Sequence, residues 1–346
     1  MRISYPEAER MGWNYEDVYL FAFSELDYLT TELQKLYNND GINDIPSYVL
    51  RLVKKMLETW ESIFLIYSHN RDYVSACTLC RNIIDNLATI YHVYMNSNED
   101  EKVFKHYLYV LDGILCRYKD YPDYNQIVNN GRIKEDEFIA LVTQVRDTNK
   151  SDMIAKEFII KELKRSPLYN NNKIVNQIIE NANWKYKSLK PFLNPKEKNQ
   201  FTWNSLYKMV DSNPSFSTYA SYLSVFVHGL SISNCDLDKS EELFEPILSL
   251  SIVNLNSTLV AIKEIYKNEI KRYNIDFKKS STAKTLLCSV SDEYLQGLIE
   301  QELSYKLCRR MRTRNKYGSN FHKLLHIYHA VCCSYLKMNQ TCAANI

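Results

Sequence analysis

Apolar residues in this chain recur at alternating spacings of three and four. From Tyr73 they fall at Tyr73, Cys77, Cys80, Ile84, Leu87, Tyr91 and Tyr94, one stripe along the side of an α-helix. The same period predicts helices over 16–37, 47–68, 98–120, 134–148, 152–165, 170–182, 214–229, 241–271, 291–311 and 319–338. Ser47 and Asp72 stand where side chains cap helix N-termini. Asn- and Lys-rich joints at 38–46, 121–133, 166–174 and 190–203 read as loops. No run alternates as a half-buried strand does, and no segment repeats. The pattern predicts an all-α protein: a multi-helix bundle over 1–271, a linker at 272–283 (RYNIDFKKSSTA), and a basic helical C-terminal region over 284–346.

Composition agrees with long helices. Only 7 Gly and 8 Pro occur in 346 residues, so few sharp turns are available. Tyrosine is abundant at 27, and each ring offers an apolar body with a polar tip for half-wet packing surfaces. The apolar run at 243–262, LFEPILSLSIVNLNSTLVAI, is interrupted by Glu245, Asn254, Asn256 and several serines, which suits a buried helix better than a membrane span. The N-terminal MRISYPEAERMGWNYED is polar, and the nine cysteines include one isolated Cys77-x-x-Cys80 pair, which lies within a helical stripe and reads as buried packing. These features together predict a protein of the reducing cytoplasm with no membrane partner.

Net charge is only +2, so no whole-molecule attraction to nucleic acid follows. The charge is uneven, however. Residues 1–50 carry nine acids and three bases, and residues 301–346 carry eight bases and one acid. Within the basic end, Arg309, Arg310, Arg312, Arg314 and Lys316, with Tyr317 beside them, form a candidate RNA contact in which charge meets the backbone and a ring meets a base. The competing reading is a solvated face, or a docking surface for the acidic N-terminal region. His322, His326, His329 and Cys333 follow on one helical face. Four residues strung over three turns cannot all reach one ion, so at most two or three could hold a metal; with no acidic partner nearby, the favoured reading is a packing face, and no metal or cofactor is expected. The glycines are isolated, which leaves no phosphate-cradling loop and no nucleophile elbow.

One constellation carries chemistry. Arg81 and Asp85 are one turn apart beside the apolar stripe, with His92 two turns further on. Far along the chain, Ser224 and His228 are again one turn apart, and Gly229 is placed to end their helix. If the two helices meet, a cation, a carboxylate, a hydroxyl and an imidazole share one site. That set suits RNA cleavage without a metal: the imidazole moves the ribose hydroxyl proton and the guanidinium steadies the phosphate. The same groups, fully satisfied, also make a buried polar network that fixes helix packing.

The pairing of "CRNIID" with a distant "YASYLSVFVHG" resembles a family of uncharacterised bacterial all-helical proteins. There, an Arg followed one turn later by an acid precedes a Ser-x-x-x-His helix end by over a hundred residues. The resemblance covers about 45–270. The Arg81-Asn82 pair is also similar to the start of the signature of the HEPN superfamily of helical ribonucleases and nucleotide-binding proteins, many from toxin–antitoxin and antiviral systems. That signature is an Arg, four residues and a His. Here Asn86 stands at the His position, which leaves the imidazole to His228 or His92. The resemblance implies an RNA-directed effector acting as a homodimer, with Arg81, Asp85, Ser224 and His228 at its site. The alternative is a non-catalytic scaffold or sensor subunit that binds a protein or RNA partner.

Overall fold

The structure is a computed structural model, and it describes residues 14–70, 72–120, 128–191, 197–227 and 241–280. These residues are all-helical, with no strand among them. They divide into two compact units. The first takes 14–40, 46–87, 213–227 and 241–280, and the second takes 41–45, 88–191 and 197–212, each as far as described.

The first unit begins with α1, Tyr15–Gln34. Asn14 caps it by accepting from the Asp17 amide at 3.0 Å, while the Asp17 carboxylate accepts from the Asn14 amide at 3.1 Å. α2 follows at Ile45–Leu65 and buries Val49, Leu50, Val53, Met56, Leu57, Trp60, Ile63 and Phe64, a stripe at helical period. It relaxes into a π-helical turn at Ile66–Asn70. Ser47 is not its N-cap. The helix already runs from Ile45, whose successor Pro46 has no N–H to satisfy, and the Ser47 hydroxyl instead accepts from the Asn39 amide at 3.1 Å. Asp72 does cap the next helix, accepting from the Ser75 amide at 3.2 Å.

That helix, α3, spans Tyr73–Thr89. The unit is completed by three helices and a short 3-10 turn. We number these α8 (Pro214–Val227), α9 (Glu241–Ile265) and α10 (Lys267–Arg272), with the turn at Phe277–Lys279. α9 packs along α1, where Lys263 pairs with the buried carboxylate of Glu25. Tyr266 donates to the Pro46 carbonyl at 2.6 Å, and Tyr19 to the Trp60 carbonyl at 2.6 Å, so two phenol tips satisfy carbonyls inside an otherwise apolar core. Pro246–Ile265 has the length and hydropathy of a membrane span, but most of it is buried against the protein and its Ser251, Asn254 and Thr258 are fully enclosed. It is a core helix. The first part of the expected linker, through Ser280, docks on α1: Phe277 meets Phe21 edge-on at 5.4 Å and Tyr28 at 5.7 Å.

In the second unit, a π-helical turn at Ile90–Tyr94 continues from α3. α4 spans Glu99–Asp120 and α5 spans Glu135–Arg165. The pattern predicts two helices over the latter range, but no Gly or Pro stands at 149–151 to break it and one helix runs through. α4 and α5 meet through Tyr107 and Phe158, edge-on at 6.2 Å, and through Arg117, which donates to Asp152 at 2.7 Å. α6 is Lys173–Glu180, capped by Asn172. α7, Trp203–Val210, falls where the sequence pattern assigns no helix; Thr202 caps it, and it buries Leu206 and Tyr207. Asn199 shapes the loop before α7 by accepting from the amides of Lys187 and Ser188 and donating to the Ser188 carbonyl at 2.8 Å.

Candidate functional site

α3 supplies one wall of the site. As far as Leu87 its buried face is Tyr73, Ala76, Cys77, Cys80, Ile83, Ile84 and Leu87, the predicted stripe with Ala76 and Ile83 added. Burial pushes the thiols of Cys77 and Cys80 up to about 12, so both are protonated packing groups. Cys80 also lies 3.5 Å from the Ser251 hydroxyl of α9. Arg81 emerges at the edge of this stripe with its side chain 12% exposed, and Asp85, one turn on, is 34% exposed.

α8 supplies the other wall. It is held to α3 by an aromatic clasp: Tyr73 meets Phe226 edge-on at 5.7 Å, Tyr222 meets Phe226 at 5.2 Å, and the two tyrosine hydroxyls are 3.1 Å apart. Burial is the main reason the Tyr73 phenol stays protonated far above the usual range. The clasp sets Ser224 against Arg81, whose Nε donates to the Ser224 Oγ at 2.8 Å while its Nη1 pairs with Asp85 Oδ1. The Ser224 hydroxyl in turn donates to the Ala220 carbonyl at 3.0 Å.

The two helices meet, and Arg81, Asp85 and Ser224 share one place. The guanidinium is held on two edges in a fixed plane, by a carboxylate from its own helix and a hydroxyl from the facing one. The serine proton points at a backbone carbonyl, so Ser224 orients Arg81 and is not poised as a nucleophile. His228 and Gly229 lie outside the described residues, as do Arg309, Arg310, Arg312, Arg314, Lys316 and the His322–Cys333 face. Asn86, at the signature's His position, donates to both the side chain and the carbonyl of Asn82 at 3.0 Å.

His92 does not join Arg81. The count of 3.6 residues per turn that puts it on the Arg81 face fails from Ile90, where the backbone opens into a π-turn. His92 instead packs in the second unit between Trp184 and Phe201, at 5.9 and 5.4 Å, and its Nε2 donates to the Trp184 carbonyl at 3.1 Å. Burial, then the nearby Lys105 ammonium, brings its pKa down to about 4, so the ring is neutral. Around it lies a polar cluster that the sequence reading misses. Lys105 is buried, pairs with Glu101 at 2.8 Å and stands 5.3 Å over the Tyr186 ring. The only signal for it was the Glu101–Lys105 spacing of one turn. His106, fully buried, is likewise structural: it bonds the Tyr94 hydroxyl at 3.0 Å and donates to the Ile42 carbonyl at 2.6 Å.

Among the described residues no three His, Cys, Asp or Glu side chains converge as ligands for a metal. No known protein family matches the chain, and neither curated proteins nor solved structures provide a match.

Proposed function

We propose that this chain is a HEPN-like effector directed at RNA, a metal-independent ribonuclease of bacterial antiviral defence or of a toxin–antitoxin system, working in the cytoplasm as a homodimer. The observation that supports the reading is the guanidinium of Arg81, fixed by Asp85 and by Ser224 from a helix far along the chain. A pre-positioned planar cation is what a crowded phosphate needs in its transition state, because no reorganisation is required when the charge develops. In this reading Arg81 steadies the phosphate, Asp85 and Ser224 orient Arg81, and His228 carries the proton. Arg309, Arg310, Arg312, Arg314 and Lys316 hold the RNA backbone.

A second reading rests on a specific observation. Arg81 is only 12% exposed, and the Ser224 proton is committed to a carbonyl, as in a network whose task is to fix the packing of α3 on α8. The chain is then a non-catalytic scaffold or sensor subunit.

The test uses the full chain with fluorescent single-stranded RNA, and compares wild type with Arg81→Ala, Arg81→Lys and His228→Ala. The effector reading expects wild-type cleavage to fall by about a hundredfold or more in all three variants, each of which keeps the wild-type helicity by circular dichroism. If wild type cleaves no RNA and Arg81→Ala melts about 5 °C lower or more, the scaffold reading holds.

A further inference from the structure

α5 is the longest helix among the described residues, and it buries little of itself: only Asp152, Ile159 and Leu163 are enclosed. Roughly opposite that buried line runs a second line at helical spacing: Asp136, Ile139, Thr143, Asp147, Lys150, Ile154, Phe158 and Lys161. Its aliphatic members lie open to solvent, with Ile139 55% and Ile154 62% exposed, while Phe158, which also packs its ring edge-on against Tyr107 of α4, is 37% exposed. Large apolar side chains lined up on an exposed helix face need a partner to leave water.

We propose that this face pairs with the same face of a second copy of the chain, antiparallel about a two-fold axis near the middle of α5. The order of its residues argues for a second copy over any other occupant, because the line is complementary to its own reverse. With Ile139 placed opposite the partner copy's position 158, Asp136 meets a lysine, Thr143 meets an isoleucine and Asp147 meets a lysine. Each pair then occurs twice by symmetry. Sliding one helix by four residues sets Asp147 against an isoleucine in one direction, and in the other sets Asp136 against a glutamate and loses both aspartate–lysine pairs. The ends agree as well. The first turn of α5 is acidic (Glu135, Asp136, Glu137) and the last basic (Lys164, Arg165), so antiparallel pairing brings opposite charges together at both ends. Glu157, Ile160, Lys161, Lys164 and Arg165 form a shallow surface along the C-terminal end of α5, and the pairing lays the acidic end of the second copy on it.

A single helix pair is at the small end of specific interfaces, so the dimer forms reversibly, with a Kd of about 1–10 µM. The proposal gives a surface to the self-association included in the RNA-effector reading. Its test reads oligomeric state and not RNA cleavage: a chain that cleaves RNA as a monomer sinks the pairing alone, and a dimer that cleaves none sinks the RNA reading alone.

The experiment is sedimentation velocity of the full chain from about 0.1 to about 100 µM, a range that brackets an affinity of this class. Wild type shifts from monomer to dimer across the series. Ile154→Asp weakens the dimer by about tenfold or more, with helicity by circular dichroism unchanged because the position is exposed. Asp136→Lys alone and Lys161→Asp alone each set like charges together twice and weaken it by about fivefold to tenfold. The double variant Asp136→Lys/Lys161→Asp returns to within about threefold of wild type. A chain that stays monomeric at the highest concentration overturns the proposal. So does a dimer that is unmoved by Ile154→Asp, or one that the double charge exchange fails to restore.

Discussion

Arg81 Nε donates to Ser224 Oγ at 2.8 Å, joining two helices whose contacting residues are 143 positions apart. Ser224→Ala leaves that donor without its acceptor at a site where Arg81 is only 12% exposed, and costs about 1–3 kcal/mol. Asp85 still holds the other edge of the guanidinium, so the loss stays below that of Arg81→Ala. Urea denaturation of both single variants and the double reads the coupling directly, with an expected interaction of about 0.5–3 kcal/mol. Strict additivity would show that the contact does not stabilise the packing of α3 on α8.

His92 makes the second unit acid-sensitive. Its pKa in the folded chain is about 4, against about 6.5 unfolded, because burial and the Lys105 ammonium disfavour the charged ring. As pH falls from 6.5 towards 4, the unfolded chain takes up a proton that the folded chain refuses. Stability therefore declines over that window by about 3 kcal/mol, and the loss levels off below it. Glu101 adds in the same direction at lower pH. Burial pushes its carboxyl up, but the hydrogen bond and charge of Lys105 outweigh that and hold it below the usual range. Chemical denaturation at a series of pH values compares wild type with His92→Gln, which keeps a donor for the Trp184 carbonyl. The variant should lack the decline between 6.5 and 4; an identical profile would remove His92 as its cause.

Each half of the α3–α8 contact is legible because both motifs are local, whereas their meeting stands in the sequence only as a condition. Arg81–Asp85 and Ser224–His228 are one-turn pairs, and the stripe through Cys77, Cys80 and Ile84 fixes which side of α3 is buried. The capping of α3 by Asp72 was legible for the same reason. His92 was not, because a π-turn changes the residue count per turn without any Gly or Pro to announce it. The split into two units was also hidden, since α3 carries an unbroken apolar stripe from Tyr73 to Leu87 in one unit and its continuation reaches Tyr94 in the other. α7 escapes the pattern because eight residues offer little more than two turns of periodicity, and only its Thr202 cap marks it.

Asn254 is fully buried in α9, and among the described residues neither its side-chain nitrogen nor its side-chain oxygen has a hydrogen-bond partner. A buried amide left unpaired costs free energy that an aliphatic side chain of similar volume does not. Asn254→Leu should therefore stabilise the first unit by about 1–2 kcal/mol, read as a higher melting temperature in scanning calorimetry. A drop of similar size would mean that the amide is satisfied in solution and holds α9 in place.

The three described cysteines should separate sharply in reactivity. Cys77 and Cys80 are fully buried with thiols pushed up to about 12, whereas Cys116 is exposed on α4, 3.9 Å from Asp112 Oδ1. Only the thiolate attacks an alkylating reagent, and thiols pushed up to about 12 and enclosed by packing hold almost none at neutral pH. A short pulse of N-ethylmaleimide followed by peptide mass spectrometry should find Cys116 modified, and Cys77 and Cys80 untouched until denaturant is added. Cys77 and Cys80 report on α3, so their protection also indicates whether the wall that carries Arg81 stays closed. Labelling of both at the rate of Cys116 under native conditions would mean that α3 opens readily, and a guanidinium fixed for phosphate could not be maintained there.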